Sequence, residues 1–232
     1  MRTTPETIAA ATTVRGEIAL RERIGADGVT VHELVVAGVF AMDTVDTSTE
    51  TALAQRALDH ADSPARVLVA GLGLGFTAWQ VLKDTRVREV DVVEIEEDLI
   101  AWARLGLTPT LGMLARHPRV NLHAADIADV LTGTAPTPGP DGPAGRWDLI
   151  LLDVDNGPSF LVHDRNARLY SRSALSAVAA RVTQGGALAI WAAQREPGLL
   201  AILSEIAHTQ EILLPVEREG RTLEYALYVS RL

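Results

Sequence analysis

Ala65-Arg66-Val67-Leu68-Val69-Ala70-Gly71-Leu72-Gly73-Leu74-Gly75-Phe76 is an apolar run that breaks into three alternating glycines. A second apolar run, Val90-Asp91-Val92-Val93-Glu94-Ile95, places Glu94 nineteen residues beyond Gly75. A buried strand ending in a glycine turn, with an acid at the tip of the next strand, is how a parallel sheet holds a nucleoside. The glycines let backbone approach the ligand, and the acid accepts hydrogen bonds from ribose hydroxyls. Position 76 narrows the ligand further. A dinucleotide fingerprint places glycine there, where a pyrophosphate meets the helix start; this chain has Phe76. The pattern G-x-G-x-G suits a nucleoside without phosphates, such as S-adenosylmethionine. Tight packing of strand on helix is the competing explanation for the glycines. The acid at the right distance, on the neighbouring strand, favours the ligand.

Outward from this unit, strands and helices alternate. The pattern predicts strands over Arg66–Ala70, Val90–Ile95, Val120–Ala124, Leu149–Asp153 and Ala187–Ala192. It predicts helices over Thr77–Lys83, Asp98–Ala103, Ile127–Leu131, Ser173–Arg181 and Gly198–His208. Such alternation means a parallel, doubly wound sheet covered on both faces. Two further strands, Glu211–Arg218 and Thr222–Ser230, meet across Glu219-Gly220 and are therefore antiparallel. The expected architecture is α/β: a Rossmann-like, seven-stranded sheet of five parallel strands and a C-terminal antiparallel pair, as in class I methyltransferase-like folds. Residues 63–232 form this domain. Residues 1–62 form a small N-terminal region. Its β-branched stretches Glu17 to Ile24 and Val29 to Met42, joined at Ala26-Asp27-Gly28, read as a β-hairpin with Gly38 as a bend or bulge in its second arm. Helical spacing follows from Thr49 to His60. Gly133–Gly145, rich in proline and glycine, reads as a surface loop.

Composition excludes several classes. The 232 residues carry a net charge of −9, against the basic field that nucleic-acid binding needs. The balance is compatible with a cationic substrate. With no cysteine there is no disulfide, thiolate metal site or cysteine nucleophile. No run of eighteen or so apolar residues is long enough to span a membrane, and no signal peptide opens the sequence, so a cytoplasmic setting is expected. Six histidines show no metal spacing, and no metal is expected.

Two further constellations bear chemistry. Asp126 follows the third parallel strand, where an acid can accept from an adenine amino group or cap the next helix. Trp147-Asp148-Leu149-Ile150-Leu151-Leu152-Asp153-Val154-Asp155-Asn156-Gly157-Pro158 ends a buried strand in two acids. Asp153, with Asp155 close by, would emerge beside the sulfonium of a bound nucleoside. Alkyl transfer needs an uncharged amine, and a carboxylate there can take the amine's proton or orient it. A plain polar turn is the alternative. His163-Asp164 and Tyr170 read as surface. The four tryptophans, at 79, 102, 147 and 191, read as core.

From about Ala65 to Gln194 the chain resembles the spermidine synthase (polyamine aminopropyltransferase) family. The matching pieces are the glycine loop; Asp91 to Ile100; Trp147 to Pro158; and Leu169-Tyr170-Ser171-Arg172 followed by Gln184-Gly185-Gly186-Ala187-Leu188. The resemblance implies a nucleoside site at Gly71, Gly73, Glu94 and Asp126, with Asp153 as base, and by analogy a homodimer; Gly75, the last glycine of the loop, and Ile95, next to Glu94, are expected to border the same site. The departures fall on the polyamine side. The family's loop carries an acid that grips the aminopropyl ammonium of decarboxylated S-adenosylmethionine, and Leu74 stands there. The family's Tyr-His-Glu helix is replaced by Ser48-Thr49-Glu50. The acid expected three residues after Asp153 is Asn156, with Asp155 coming one residue early. The expected function is transfer of a methyl or other alkyl group from S-adenosylmethionine, or a close relative, to a small amine. Aminopropyl transfer from the decarboxylated donor and a non-catalytic nucleoside-binding module are the alternatives.

Overall fold

The computed structural model describes residues 4–133, 145–154, 156–161, 164–218 and 221–232. Asp155, His163, Glu219-Gly220, where a turn is expected, and most of the expected loop between Gly133 and Gly145 lie outside them.

The large sheet is built on β5 (Arg66–Ala70), β6 (Glu89–Glu94), β7 (Val120–Ala124), β8 (Trp147–Leu152), β9 (Val182–Ala192), β10 (His208–Arg218) and β11 (Arg221–Arg231). Their order is β10-β11-β9-β8-β5-β6-β7. Neighbours from β7 to β9 run parallel, and β11 joins β9 antiparallel with β10 outside it. This is the seven-stranded arrangement expected from the sequence. Val67 to Ala70 are wholly inaccessible to solvent, as a central strand covered on both faces requires. Strand order reverses about β5, whose neighbours are β6 and β8, so the crevice at a topological switch point opens at the carboxyl ends of β5 and β8. The helices α2 (Phe76–Leu82), α3 (Glu97–Leu105), α4 (Pro109–Ala115), α5 (Ile127–Thr132), α6 (Arg172–Ala179) and α7 (Pro197–Ile206) cover the sheet. A 3₁₀ helix, Asp164–Tyr170, follows the loop after β8. Among the described residues, no helix is long and apolar enough to cross a membrane.

The N-terminal region extends the expected hairpin to a four-stranded antiparallel sheet: β1 (Glu6–Thr13), β2 (Gly16–Ile24), β3 (Thr30–Val36) and β4 (Val39–Asp43). Gly38 is not a bend within one arm. With Ala37 it forms a two-residue turn between β3 and β4, at φ of 77° and 51°, the left-handed pair that such hairpins require. One face of this sheet, through Ile18, Leu20 and Leu34, joins the core shared with the large sheet. Arg15, in the β1–β2 turn, grips the segment after β6: its guanidinium donates to both oxygens of Glu96 at 2.7 and 2.8 Å and to the Ile95 carbonyl at 3.0 Å. The helix α1 (Ser48–His60) links the sheets and buries Leu53, Ala54 and Ala57 against α2 and the large sheet.

Towards the amino ends of the strands a fully buried carboxylate, Asp91, is satisfied on all sides. Trp147 Nε1 donates to it at 2.9 Å, Asn121 Nδ2 at 3.1 Å, and His123 Nε2 lies at 3.1 Å. Burial works against ionisation, but these bonds outweigh it and hold the Asp91 carboxyl below its ordinary value. The indole of Trp147 is core, as its sequence context predicts.

Candidate functional site

Two cavities flank the glycine loop at the switch point and share Val154 as a wall. The smaller, about 40 Å³, is lined by Gly71, Glu94, Ile95, Asp126, Val154 and Asn166, among others. The larger, about 450 Å³, runs between the small sheet and the large one, past Gly73, Thr77 and Asp153. The structure therefore gathers Gly71, Glu94, Ile95 and Asp126 on one side of the loop, and Gly73 and Asp153 on the other. Gly75, at φ 90°, lines neither. It begins α2, and a Cβ there would lie 2.5 Å from Leu114 of α4, so its place is set by packing.

Glu94 is buried, and both its oxygens brace backbone. The Leu72 N–H donates to Oε2 at 2.8 Å and the Glu96 N–H to Oε1 at 2.9 Å. Burial raises its carboxyl above the usual value despite these bonds. The Ile95 N–H also bonds the carboxylate, so of its four acceptor positions one is left for a ribose hydroxyl. Asp126 does what an N-cap does: its Oδ1 accepts from the Ala128 N–H at 2.8 Å. Its Oδ2 accepts from Arg168 of the 3₁₀ helix at 2.6 Å. With Arg168 so placed and Asn166 opposite, the groove has the volume of a water or two rather than a purine.

Asp153 stands at the carboxyl end of β8. Its own N–H donates to the Ala70 carbonyl at 2.9 Å, pinning it beside β5. Thr77 Oγ1, from the first turn of α2, donates to Asp153 Oδ2 at 2.6 Å. Burial and then the charge of Glu50 push the Asp153 carboxyl up to about 7, with the Thr77 bond opposing them. A carboxyl poised there exchanges protons near neutral pH, as a general base must. The segment beyond is anchored from behind. The Ala193 N–H donates to the Asn156 carbonyl at 3.0 Å, and Ser159 Oγ donates to the buried Glu196 at 2.8 Å.

Several lining residues carry no local signal in the sequence. Met42 of β4 covers Gly73, and its sulfur accepts from the Leu74 N–H at 3.2 Å. Leu74 itself is fully buried in the core rather than turned into either cavity, while Phe76 lines the larger one. Trp191, expected in the core, packs against it half-buried and also lines the larger cleft, stacking on Tyr225 with ring centroids 5.4 Å apart.

The family model described as the spermine/spermidine synthase domain matches residues 47–202. The chain is 29% identical over 138 residues to a polyamine aminopropyltransferase of Synechococcus sp. (strain JA-2-3B'a(2-13)), covering 58% of this chain and 39% of that protein. It is also 29% identical over 126 residues to putrescine N-methyltransferase 4 of Nicotiana tabacum, covering 53% of this chain and 28% of that one. The chain thus spans well under half the length of these curated relatives. Among solved structures, a spermidine synthase in complex with the transition-state analogue AdoDATO superposes with a TM-score of 0.74 at 17% identity. That match covers 97% of this chain and 73% of the other, and establishes likeness of fold.

Proposed function

We propose that this chain, which belongs to the spermine/spermidine synthase family, transfers an alkyl group from an S-adenosylmethionine-type nucleoside to a small amine. One observation carries the reading. Across the Gly71–Gly73 loop, a groove edged by Glu94 adjoins a wider acidic cleft in which Asp153 is held by Thr77. When bound, the donor supplies a carbon made electrophilic by its positively charged sulfur. The chain's own residues hold and prepare the partners. Glu94 offers its remaining acceptor position to a ribose hydroxyl, and Gly71 and Ile95 bring backbone and an apolar side chain to the nucleoside. Asp126 accepts from the base's amino group once Arg168 releases it and the 3₁₀ helix draws back. Asp153 takes the proton of the incoming amine or orients its lone pair, with its rotamer fixed by Thr77.

Leu74 favours the intact donor, and hence methyl transfer. An aliphatic, fully buried residue at the loop apex offers no carboxylate to an aminopropyl ammonium. A different observation supports aminopropyl transfer as the second reading. The described residues lining the larger cleft include Asp43, Asp46, Glu50 and Asp153 and no Lys, Arg or His. Glu50 could hold the ammonium there, whereas the carboxylate of an intact donor would meet acids. Calorimetry with S-adenosylmethionine, its decarboxylated form and methylthioadenosine separates the two. We expect the intact donor to bind at least as tightly as methylthioadenosine. Tight binding of the decarboxylated form alone would transfer the assignment to aminopropyl transfer, and binding of none would remove the proposal.

Glu94→Ala is expected to weaken methylthioadenosine binding by about 1.5–3 kcal/mol, the worth of a hydrogen bond to a charged group. It should also lower Tm, because the Leu72 and Glu96 N–H groups lose their acceptor. Unchanged affinity in the calorimeter would take Glu94 out of the nucleoside site.

A further inference from the structure

We infer that Arg15, in the turn between β1 and β2, is a positioning residue for the nucleoside: it fixes the chain at Ile95 and Glu96 and screens Glu94 from the charge of Glu96, leaving Glu94 free to receive a ribose hydroxyl. The inference rests on the nucleoside reading proposed above and names a residue of the small sheet on which that site depends.

The contact is a fork on one carboxylate. Arg15 Nε and Nη2 donate to the two oxygens of Glu96 at 2.7 and 2.8 Å, and Nη2 donates to the Ile95 carbonyl at 3.0 Å. Such a planar, two-point contact sets orientation as well as charge. Glu96 is buried. The turn that presents Arg15 is made without its side chain: Thr13 Oγ1 donates to the Gly16 carbonyl and accepts from the Arg15 N–H, both at 3.1 Å. The residues so held come directly after Glu94, whose Oε1 accepts from the Glu96 N–H. Ile95 borders the groove together with Glu94 and Asp126.

Charge makes the fork more than a tie. Burial first, and then the charge of Glu96, oppose ionisation of Glu94, while the backbone N–H groups of Glu96, Leu72 and Ile95 favour it. Those three bonds leave one acceptor position on the carboxylate. A proton would take that position, so the ribose hydroxyl and the proton compete for one place. Arg15 weighs on this competition, because its guanidinium lies on Glu96 and also feels the charges of Glu94 and Asp126. Arg168 of the 3₁₀ helix is committed elsewhere, 2.6 Å from Asp126 and 3.4 Å from Asp129. Beyond Glu96, Glu97 is exposed and Asp98 half-buried in the first turn of α3.

The test is calorimetry with methylthioadenosine as a function of pH, on the full chain and on Arg15→Met, Glu96→Gln and the double variant, each with its melting curve. Affinity in the parent should rise with pH as Glu94 ionises. Arg15→Met leaves Glu96 uncompensated, so the midpoint of that rise should move up by about one pH unit, and binding well below it should weaken about tenfold. Glu96→Gln breaks the same ion pair but removes the opposing charge, so its midpoint should move down. The double variant should return close to the parent. A merely structural tie gives another pattern, in which both single variants lose affinity alike at every pH and the double variant does not recover. That pattern, or Arg15→Met binding as the parent does at every pH, would overturn the inference and leave the nucleoside reading standing. Should Arg15→Met fail to fold, a lowered midpoint in Glu96→Gln supports the inference and an unmoved one overturns it. Failure of the parent to bind methylthioadenosine would overturn both.

Discussion

Asp153→Asn is expected to lose turnover by about 10²–10⁴-fold, the usual contribution of a positioned general base, while binding the nucleoside as the parent does and melting at a higher temperature. The amide keeps an oxygen for Thr77 Oγ1, so the side chain stays in place; what is lost is the capacity to take a proton. The gain in stability follows from linkage. The Asp153 carboxyl titrates near 7 in the folded chain, because burial and then Glu50 disfavour the anion, against an ordinary value of 3.8. The folded chain therefore holds a proton that the unfolded chain has released across this window. Stability from this group is complete below about pH 4 and is lost as pH rises through 7. Asparagine has no charge to bury. At pH 8 the variant should be the more stable by about 1–3 kcal/mol, or some 2–4 °C in Tm for each kcal/mol in a chain of this size. At pH 4 the two melting curves should coincide. Activity of the parent, measured with whichever amine binds, should rise with pH through about 7 as the carboxyl ionises. Equal melting temperatures at pH 8 would show that the anion is not penalised where it stands. Near-normal turnover by Asp153→Asn would show that the proton leaves by another route. Such a gain in stability with loss of function is the expected mark of a strained functional group.

The parallel sheet and the groove beside Glu94, proposed above for the nucleoside, were legible because both are local. The strands β5 and β7 span the predicted residues to the letter, since β5 is a short apolar run closed by Gly71 and β7 alternates apolar with polar residues, and Glu94 stands at a fixed distance along the chain from the loop it braces. The strand β1 gave no signal. Glu-Thr-Ile-Ala-Ala-Ala-Thr-Thr is rich in alanine, a poor strand former, and becomes a strand by pairing with β2 along its length. The helix α4 lies outside the predicted helices although it carries a start signal: Thr108 accepts from the Leu111 N–H as N-cap, with Pro109 at the first helical position. The apolar wall of the larger cleft could not be read at all. Phe40, Phe160, Trp191 and Tyr225 meet only after the small sheet has docked and the C-terminal hairpin has paired with β9. Thr77 and Asp153, 76 residues apart in sequence, become partners because β5 and β8 are neighbours.

The same neighbourhood makes Gly71→Ala the most damaging substitution we foresee. A Cβ at this position would lie 2.0 Å from the Asp153 carbonyl oxygen, and the residue has φ +92°, outside the range that side-chain-bearing residues adopt with ease. Neither backbone is free to retreat. The Gly71 N–H donates to Val93 O at 2.8 Å, and the Asp153 N–H donates to Ala70 O at 2.9 Å, so relief of the clash breaks a ladder bond on one side or the other. We expect a loss of about 3 kcal/mol or more, with nucleoside binding lost as well, because the loop and Asp153 are displaced together. Two companion substitutions isolate the cause. Gly28→Ala, at φ +82° with nothing within 4 Å of the added carbon, carries only the conformational cost, about 1–2 kcal/mol. Gly73→Ala, at φ +50°, meets the Met42 sulfur at 2.8 Å, the end of a flexible side chain that can turn aside, and should fall near Gly28→Ala. Chemical denaturation of the three variants orders them directly. A Gly71→Ala chain no weaker than Gly28→Ala would mean that β5 and β8 do not approach so closely, and that the groove and the cleft are not set on two sides of one loop.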